Sequence, residues 1–397
     1  MNLSSIFVGL IAVLVIFPAS AQTLKDTFSD HFLMGTIWHG HKLGSNNQNQ
    51  FLEREKAVTV AEFNAITAEN AMKPRQIQPR QGIFEFQESD EMISYAEDNN
   101  LTVIGHTLVW GNSAPDWFFV DDNGDTVSRE ILIERMKTHI QTVVGRYSGR
   151  INYWDVVNEA IETRRIKGGK GFEAFYKPSP WLDIIGPEYI EIAYRTAREA
   201  DPSAKLLYND YNLDQEAKLD FALQMIMDLK RRGVDIHGLG YQGHMFLDEP
   251  SLSSIERVFK RSREAGIPVH VTELDVSVLP NGWKHRAASV EDRFELAARY
   301  NPYTKTVPSK ILEAQATRYS SMFKVFLKYS DVIERVTFWG VWDGNSWRDY
   351  HPMLGRTDYP LLFGRNFEKK PAYDAVIRIA GQANPQGSIS NSERYYK

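Results

Sequence analysis

Two glutamates in this sequence have the side-chain chemistry and the positions to catalyse a reaction together. Glu159 and Glu273 each close a short β-branched or aromatic run. One carboxyl group, if protonated, can give a proton to a leaving oxygen, while a second, if ionised, can attack an anomeric carbon. A single strand-end glutamate is usually a solvated rim residue or an ion-pair partner. The prediction of glycosidic bond hydrolysis therefore depends on a fold that brings the pair to one cleft.

The elements that would position the pair alternate along the chain. Short β-branched or aromatic runs are followed by amphipathic stretches, which is the pattern of successive βα units. The predicted strands are Phe32–Ile37, Ala61–Ala68, Leu101–Thr107, Ile151–Val157, Lys205–Asn209, Gly238–Gln242, Val269–Glu273 and Val336–Trp339. The predicted helices include Ser128–Tyr147, Pro187–Ala200, Leu213–Arg232, Ser253–Ala265 and Leu312–Tyr329. We expect an α/β fold, a single (β/α)8 TIM barrel with long βα loops. A doubly wound open sheet is the rival, but the sequence has no Gly-rich strand-to-helix turn of the dinucleotide or P-loop kind.

Catalytic side chains in such barrels come from the carboxyl ends of the strands. Glu159 and Glu273 fall at the ends of the fourth and seventh predicted strands, which are not neighbours, so they should face each other across the barrel mouth. His244 and Asp275 should lie near Glu273 and hold it ionised, because hydrogen bonds to a carboxylate lower its pKa. An isolated histidine is more often a core residue satisfied by the backbone, but these polar neighbours favour a functional one.

Aromatic residues gather after the same strand ends. Trp110, Trp339, Trp342 and Trp347 could be core residues, but their clustering favours a platform on which pyranose rings stack. Polar side chains at these ends could bind the hydroxyl groups of the sugar edge. They are Asn70, Lys73, His106 and Asn158. A polysaccharide is the substrate class that suits both sets.

Several strings in the sequence resemble glycoside hydrolase family 10, the retaining endo-β-1,4-xylanases. They are TAENAMK at 67–73, HTLVW at 106–110, WDVVNE at 154–159, GLGYQGH at 238–244, TELDV at 272–276 and WGVWDGNSW at 339–347, supported by DPSAKLLYNDYN at 201–212 and KPAY at 370–373. The resemblance spans roughly residues 32 to 379 in the order of the family.

The resemblance implies a role for each matching residue. Glu159 would be the acid/base and Glu273 the nucleophile of a double displacement, with their carboxyl groups about 5–5.5 Å apart. His244 would bridge toward Glu273, and Trp347 would close over the reacting sugar. The glycone-side sugars would be held by Glu69, Asn70, Lys73 and Trp339, and the reacting sugar would be surrounded by His106, Trp110, Asn158 and Gln242. Trp339 and Trp347 would form a wall that leaves little room for the hydroxymethyl group of glucose.

The sequence departs from the family pattern mainly in loops. Gly364 stands where an aspartate is expected, and the segment Pro280–Lys310 is long. That segment and Thr163–Ile185 should rim the substrate groove and influence which side-chain decorations of xylan are tolerated.

The chain ends and the composition complete the prediction. An apolar run before Ala19-Ser20-Ala21 reads as a signal peptide over residues 1–21, followed by a catalytic domain at 22–381 and a polar tail at 382–397. We therefore expect a secreted or periplasmic protein, with a membrane anchor as the alternative interpretation of the run. The net charge of −5 speaks against a nucleic-acid partner. The sequence contains no cysteine, and we expect no cofactor, no catalytic metal and a monomer that acts on xylan and xylo-oligosaccharides.

Three alternatives stay open on the sequence. An endo-β-1,4-glucanase or cellobiohydrolase could use the same carboxylate pair, and would be separated by its rates on xylan and cellulose derivatives. A catalytically silent xylan-binding protein would bind without turnover. A purely structural barrel would do neither.

Overall fold

The structure is a computed structural model that describes residues 22–40, 48–282, 298–351 and 353–383. The expected signal peptide at 1–21 lies outside the described residues. So do all but the first two residues of the expected tail and residues 283–297 of the long segment Pro280–Lys310.

Eight parallel strands form a closed barrel in the described part of the chain. The described residues include three further strands, and all of them in chain order are β1 Leu33–Trp38, β2 Ala65–Ala68, β3 Thr102–Val109, β4 Tyr153–Asn158, β5 Ile161–Arg165, β6 Phe172–Tyr176, β7 Lys205–Asp210, β8 Gly238–Tyr241, β9 His244–Phe246, β10 Val269–Ser277 and β11 Ile333–Phe338. Around the barrel the order is β11-β1-β2-β3-β4-β7-β8-β10, and pairing of β10 with β11 closes the ring. The short β9 adds to β10, whereas β5 and β6 form a separate antiparallel hairpin. The predicted TIM barrel is confirmed.

Helices connect the barrel strands. Their bounds are Leu24–Thr27, Gln48–Glu62, Pro74–Ile77, Gln87–Asp98, Arg129–Arg146, Pro180–Ile185, Tyr189–Ala200, Glu216–Arg231, Leu252–Glu264, Ser309–Lys328 and Pro371–Ala383. Serine side chains cap several of them: the hydroxyl groups of Ser128, Ser179 and Ser251 each accept a backbone N–H from the first turn. No helix among the described residues is long and apolar enough to cross a membrane.

Several predicted boundaries are wrong: β10 continues to Ser277 instead of ending at Glu273, and β11 begins at Ile333 instead of Val336. The strand expected at Ala61–Ala68 begins only at Ala65, because Ala61 and Glu62 still belong to the preceding helix. Glu62 is held there by two hydrogen bonds, since its Oε2 accepts the Leu24 N–H at 3.0 Å and the Tyr373 hydroxyl at 2.9 Å. A short apolar run cannot reveal by periodicity where a helix ends and a buried strand starts.

The barrel strands that carry the two glutamates are buried along their whole length. Every residue of β4 and of β10 is buried, as expected of parallel strands covered on both faces. Trp154 in β4 is fully buried against Gly105 of β3, where a Cβ atom would lie 2.2 Å from the indole ring. Glycine at 105 thus leaves the space on β3 that the tryptophan side chain occupies.

Candidate active site

The two glutamates are placed at the carboxyl end of the barrel by different backbone arrangements. Glu273 lies inside β10, and its N–H bonds to the Gln242 carbonyl oxygen at 2.7 Å. Glu159 follows directly after β4 with a positive φ of 58°. Its N–H bonds to the Asn209 carbonyl oxygen at 2.9 Å, and the next N–H, of Ala160, donates to the Tyr208 hydroxyl at 3.1 Å. These two bonds hold the left-handed turn that follows β4.

Glu273 is buried and held at both carboxylate oxygens. Its Oε1 accepts the Asn209 Nδ2 at 2.9 Å, and its Oε2 lies 3.0 Å from His244 Nε2. The other ring nitrogen of His244, Nδ1, lies 3.1 Å from Asp275 Oδ2. Because an imidazole can donate to two carboxylates only when both nitrogens are protonated, the arrangement favours a charged His244 between two ionised acids.

The electrostatics of this group follow from its contacts. Burial alone would raise the pKa of Glu273, but the hydrogen bond and charge of His244 lower it overall. Burial would lower the pKa of His244, but Asp275 and Glu273 raise it to about 9. Asp275 has a lowered pKa despite its burial, because Arg348 and His244 both stabilise its charge, and Arg348 Nη2 donates to its Oδ1 at 2.6 Å. Glu273 is therefore ionised at neutral pH, as a nucleophile must be.

Glu159 has a different set of partners. Its Oε2 accepts the Trp110 Nε1 at 3.0 Å and the Lys177 Nζ at 3.2 Å, and its Oε1 accepts the Gln242 Nε2 at 3.1 Å. A carboxylate offers about four acceptor positions, so these three bonds leave one position on Oε1.

A second polar group lies after β2. Lys73 Nζ donates to Asn70 Oδ1 at 2.9 Å and sits 5.3 Å from the centre of the Trp110 ring. Burial lowers the pKa of Lys73, against the opposing charges of Glu69, Glu273 and Glu159. Because all three carboxylates act on this one ammonium group, the predicted glycone-side residues share a site with the predicted catalytic pair.

His106 and Trp339 complete the wall on this side. His106 Nδ1 lies 2.9 Å from Asp155 Oδ2, and its ring meets the Trp339 ring edge-on at 5.5 Å. Trp347 lies over the other side of the site, with its ring centre 4.6 Å from that of His244 and its Nε1 donating to Asp275 Oδ2 at 2.8 Å.

Trp342 does not belong to the sugar platform suggested by the sequence. Its ring stacks on Phe51 at 5.3 Å and on Phe367 at 4.3 Å, and its Nε1 donates to Glu55 Oε2 at 2.8 Å. With both its ring and its N–H engaged by the protein, this tryptophan packs the loop after β11 against the helix Gln48–Glu62.

Two residues in direct contact with the glutamates were not among the predicted site residues. Asn209 Nδ2 bonds to both Glu273 Oε1 and Asn158 Oδ1, each at 2.9 Å, while its Oδ1 accepts the Thr272 hydroxyl. It stands at a predicted strand end, so its position was a usable signal. Lys177 follows the hairpin strand β6, which the sequence prediction did not include, and a lone loop lysine gives no signal of its own. Lys177 and Glu159 also line a cavity of about 100 Å³ together with Trp110 and Asn158.

Comparison with known proteins identifies close relatives of this chain. The profile described as glycosyl hydrolase family 10 matches residues 23–379. Endo-1,4-beta-xylanase A of Xylanibacter ruminicola is 37% identical over 379 residues, which cover 95% of this chain and 99% of that protein. Endo-1,4-beta-xylanase of Geobacillus stearothermophilus is 37% identical over 91% of this chain and 99% of its own. Among solved structures, a GH10 endoxylanase from a sugarcane soil metagenome matches with a TM-score of 0.81 and 39% identity, over 90% of this chain and 99% of that one.

Proposed function

This chain belongs to glycosyl hydrolase family 10, and from that premise we propose that it is an endo-1,4-β-xylanase that cleaves internal bonds of xylan with retention of configuration. The observation that carries the proposal is the pair of glutamates at the carboxyl end of the barrel, which have different surroundings. Glu273 is buried, ion-paired with His244 and held ionised. Glu159 is bound by the tryptophan, glutamine and lysine donors of the groove.

In the first step, Glu273 attacks the anomeric carbon while Glu159 gives its proton to the departing glycosidic oxygen. The C–O bond to the leaving sugar breaks as the bond to the Glu273 carboxylate forms. His244 and Asn209 orient Glu273 during attack, because each bonds one of its oxygens. The product is a covalent glycosyl-enzyme and a shortened xylan chain.

In the second step, Glu159 removes a proton from water, which attacks the same carbon and releases Glu273. Two inversions give net retention. Retention requires the carboxyl groups to be about 5–5.5 Å apart, and that separation remains a prediction here.

The resemblance to the family supports our assignment of the sugar-binding residues. Glu69, Asn70, Lys73 and Trp339 hold the glycone-side sugars, while His106 and Asn158 bind the reacting xylose and Trp347 closes over it. Trp110 and Gln242 line the same subsite and also orient Glu159. We further propose that Asp275 acts through His244. We also propose that residues 1–21 are removed, that residues 22–381 form the catalytic domain, and that the protein works as a monomer outside the cytoplasm.

The test compares purified wild type with Glu273→Ala on soluble xylan, with products followed over time by chromatography. Wild type should release mixed xylo-oligosaccharides early, and Glu273→Ala should release essentially none. Glu256→Ala, which removes a carboxylate from an outer helix, is the matched control and should behave as wild type. Intact xylan after incubation with wild type would contradict the substrate, and the same assay on β-glucans would then test the glucanase alternative.

The acid/base role of Glu159 can be distinguished from the nucleophile role of Glu273 by changing the leaving group of the substrate. Glu159→Ala should lose about 10²–10⁴-fold in rate on xylan, which is the usual contribution of a general acid. On an aryl xylobioside whose phenolate leaves without protonation, the first step should be far less impaired, and a burst of phenolate should precede slow turnover. An equal loss on both substrates would contradict the acid/base assignment.

A further inference from the structure

A cluster of potential metal ligands lies at the opposite end of the barrel from the two glutamates. His237 immediately precedes β8, and His270 and Glu334 are each the second residue of their strands, β10 and β11. These strands are neighbours in the barrel. The cluster therefore sits on the barrel floor, where the strands begin, and the catalytic residues stand at their far ends.

The three side chains already face one another. His237 Nε2 lies 2.9 Å from Glu334 Oε2, and His270 Nε2 lies 3.6 Å from the same oxygen. One ligand atom from each residue falls within 4.8 Å of the other two. A tetrahedral zinc ion with bonds of about 2.0–2.1 Å holds its ligand atoms roughly 3.3 Å apart, so only small side-chain movements are needed.

His270 is the independent observation that points to a ligand. Its side chain is fully buried, and within the described part of the chain neither ring nitrogen has a hydrogen-bond partner. Buried polar groups without a partner are rare, and each calls for an explanation such as an ion. Because neither ring nitrogen is bonded within the described residues, a lone pair of the imidazole is available to a metal.

We propose that His237, His270 and Glu334 bind one divalent transition-metal ion, of which Zn²⁺ is the best fit. Two imidazole nitrogens and one carboxylate oxygen suit zinc, whereas Mg²⁺ and Ca²⁺ prefer oxygen ligands. Water would complete the coordination, since Glu334 and His237 are each about a quarter exposed. An ion here would link β8, β10 and β11 and stabilise the barrel without taking part in catalysis.

The surrounding charges set the expected affinity. Glu334 has polar partners at hydrogen-bond distance, since His237 Nε2 lies 2.9 Å from its Oε2. Tyr153 donates its hydroxyl to Glu334 Oε2 at 3.3 Å and can orient the carboxylate. Lys205 Nζ lies 3.5 Å from the same oxygen, but its side chain is nearly half exposed and can turn into solvent. Arg335 directs its Nη1 to Thr67 and Thr337 in the barrel interior. With two cations nearby, we expect weaker binding than in an all-cysteine zinc site.

The experiment uses the full mature chain without an affinity tag, freed of metal with EDTA. Calorimetric titration with ZnCl₂ and the midpoint of thermal unfolding are measured for wild type, Glu334→Gln and His237→Asn. His31→Asn is the matched control, since it removes one partly exposed histidine that is not part of the cluster. MgCl₂ tests the selectivity for nitrogen ligands.

Wild type and His31→Asn should bind one Zn²⁺ per chain and unfold roughly 2–5 °C higher in excess zinc, with no response to MgCl₂. Both cluster variants should fold, lose the binding isotherm and lose the shift. Co²⁺ in place of zinc should give an absorption spectrum of low coordination number only in the proteins that bind. Absence of saturable zinc binding by wild type, or equal binding by the cluster variants, overturns the proposal. Zinc that inhibits xylan hydrolysis without raising the unfolding temperature would place the ion in the groove and overturn it as well.

Discussion

Three side chains of alternating charge support the proposed nucleophile, Glu273. Glu273, His244, Asp275 and Arg348 follow one another at hydrogen-bond distance, and three of the four have almost no exposed surface. In such a low-dielectric setting each charge stabilises the next more strongly than it would in water. Of the four, the protonated His244 is the first to lose its charge as the pH rises above neutral, because its pKa is about 9.

We predict that stability and activity both decline as pH rises through about 9, and that His244→Asn loses this decline in stability. His244 has an ordinary pKa of 6.5 and a folded pKa of about 9. A pKa raised on folding contributes stability that is complete below pH 6.5 and is lost as pH rises through 9. The measurement is the unfolding temperature from pH 6 to 10 for both proteins. Parallel curves for wild type and variant would contradict the role of His244.

At this scale the sequence predicted the contacts that follow from strand ends. Glu273, His244 and Asp275 were expected to meet, and they do. Arg348 and Asn209 were not assigned roles, because the order of side chains across a barrel mouth depends on strand tilt and loop course. Trp342 was assigned to the wrong surface, since a tryptophan after a strand end can face either the groove or the surrounding helices.

The antiparallel hairpin of β5 and β6 is the element that the sequence prediction treated only as a loop at the groove rim. Its strands are short and carry charged residues such as Arg164 and Glu173, which pair with each other across the hairpin. The first strand is mostly charged or polar and the second is only five residues long, so neither shows the apolar alternation that marks a half-buried strand. The hairpin nonetheless ends at Lys177, which contacts Glu159.

We predict that Lys177→Met lowers kcat on xylan by about 10- to 150-fold. The ammonium group donates a charged hydrogen bond to Glu159 Oε2, and a bond of that kind contributes about 1.5–3 kcal/mol. Lys170→Met, an exposed position in the turn of the same hairpin, is the control and should leave kcat unchanged. Initial rates at saturating xylan measure both. An unchanged kcat in Lys177→Met would show that the hairpin does not position the acid.

At the scale of the whole molecule, buried contacts connect segments that are distant in sequence. Lys370, just before the last helix, is buried and donates to Asp343 Oδ2 at 2.8 Å and to the carbonyl oxygens of Tyr359 and Leu361. Asp343 begins the turn that precedes Trp347, and its Oδ1 accepts the Leu361 N–H. The final helix is thus connected to the loop that carries a wall of the groove.

We predict that Lys370→Met lowers the free energy of unfolding by about 3–5 kcal/mol at pH 8, because it leaves a buried carboxylate unpaired. Burial raises the pKa of Asp343 to about 6 even with Lys370 present. A carboxyl pKa raised on folding gives stability at low pH that is lost as pH rises through 6, so the deficit should be smaller at pH 5. Lys369→Met, which removes a partly exposed ion pair with Glu62, should cost less than about 1 kcal/mol. Denaturant unfolding at both pH values checks this, and a deficit that does not depend on pH would contradict the assignment.

The barrel itself was predictable because its eight strands are buried on both faces and read as β-branched runs. What the sequence could not give at this scale is the set of long-range connections such as Lys370 to Asp343. These pair residues 27 positions apart through a buried ion pair, and neither residue type signals burial on its own.

At Glu159, the left-handed backbone conformation lowers stability, while the side chain is needed for the proposed catalysis. An L-residue with a φ of 58° is disfavoured by about 1–2 kcal/mol, a strain that glycine avoids. In the proposed mechanism, however, residue 159 needs a carboxyl group to move the proton. A library of variants selected for heat resistance alone would accept glycine here and drift toward inactive protein. Engineering for thermal stability should therefore retain a selection for turnover whenever residue 159 is free to vary.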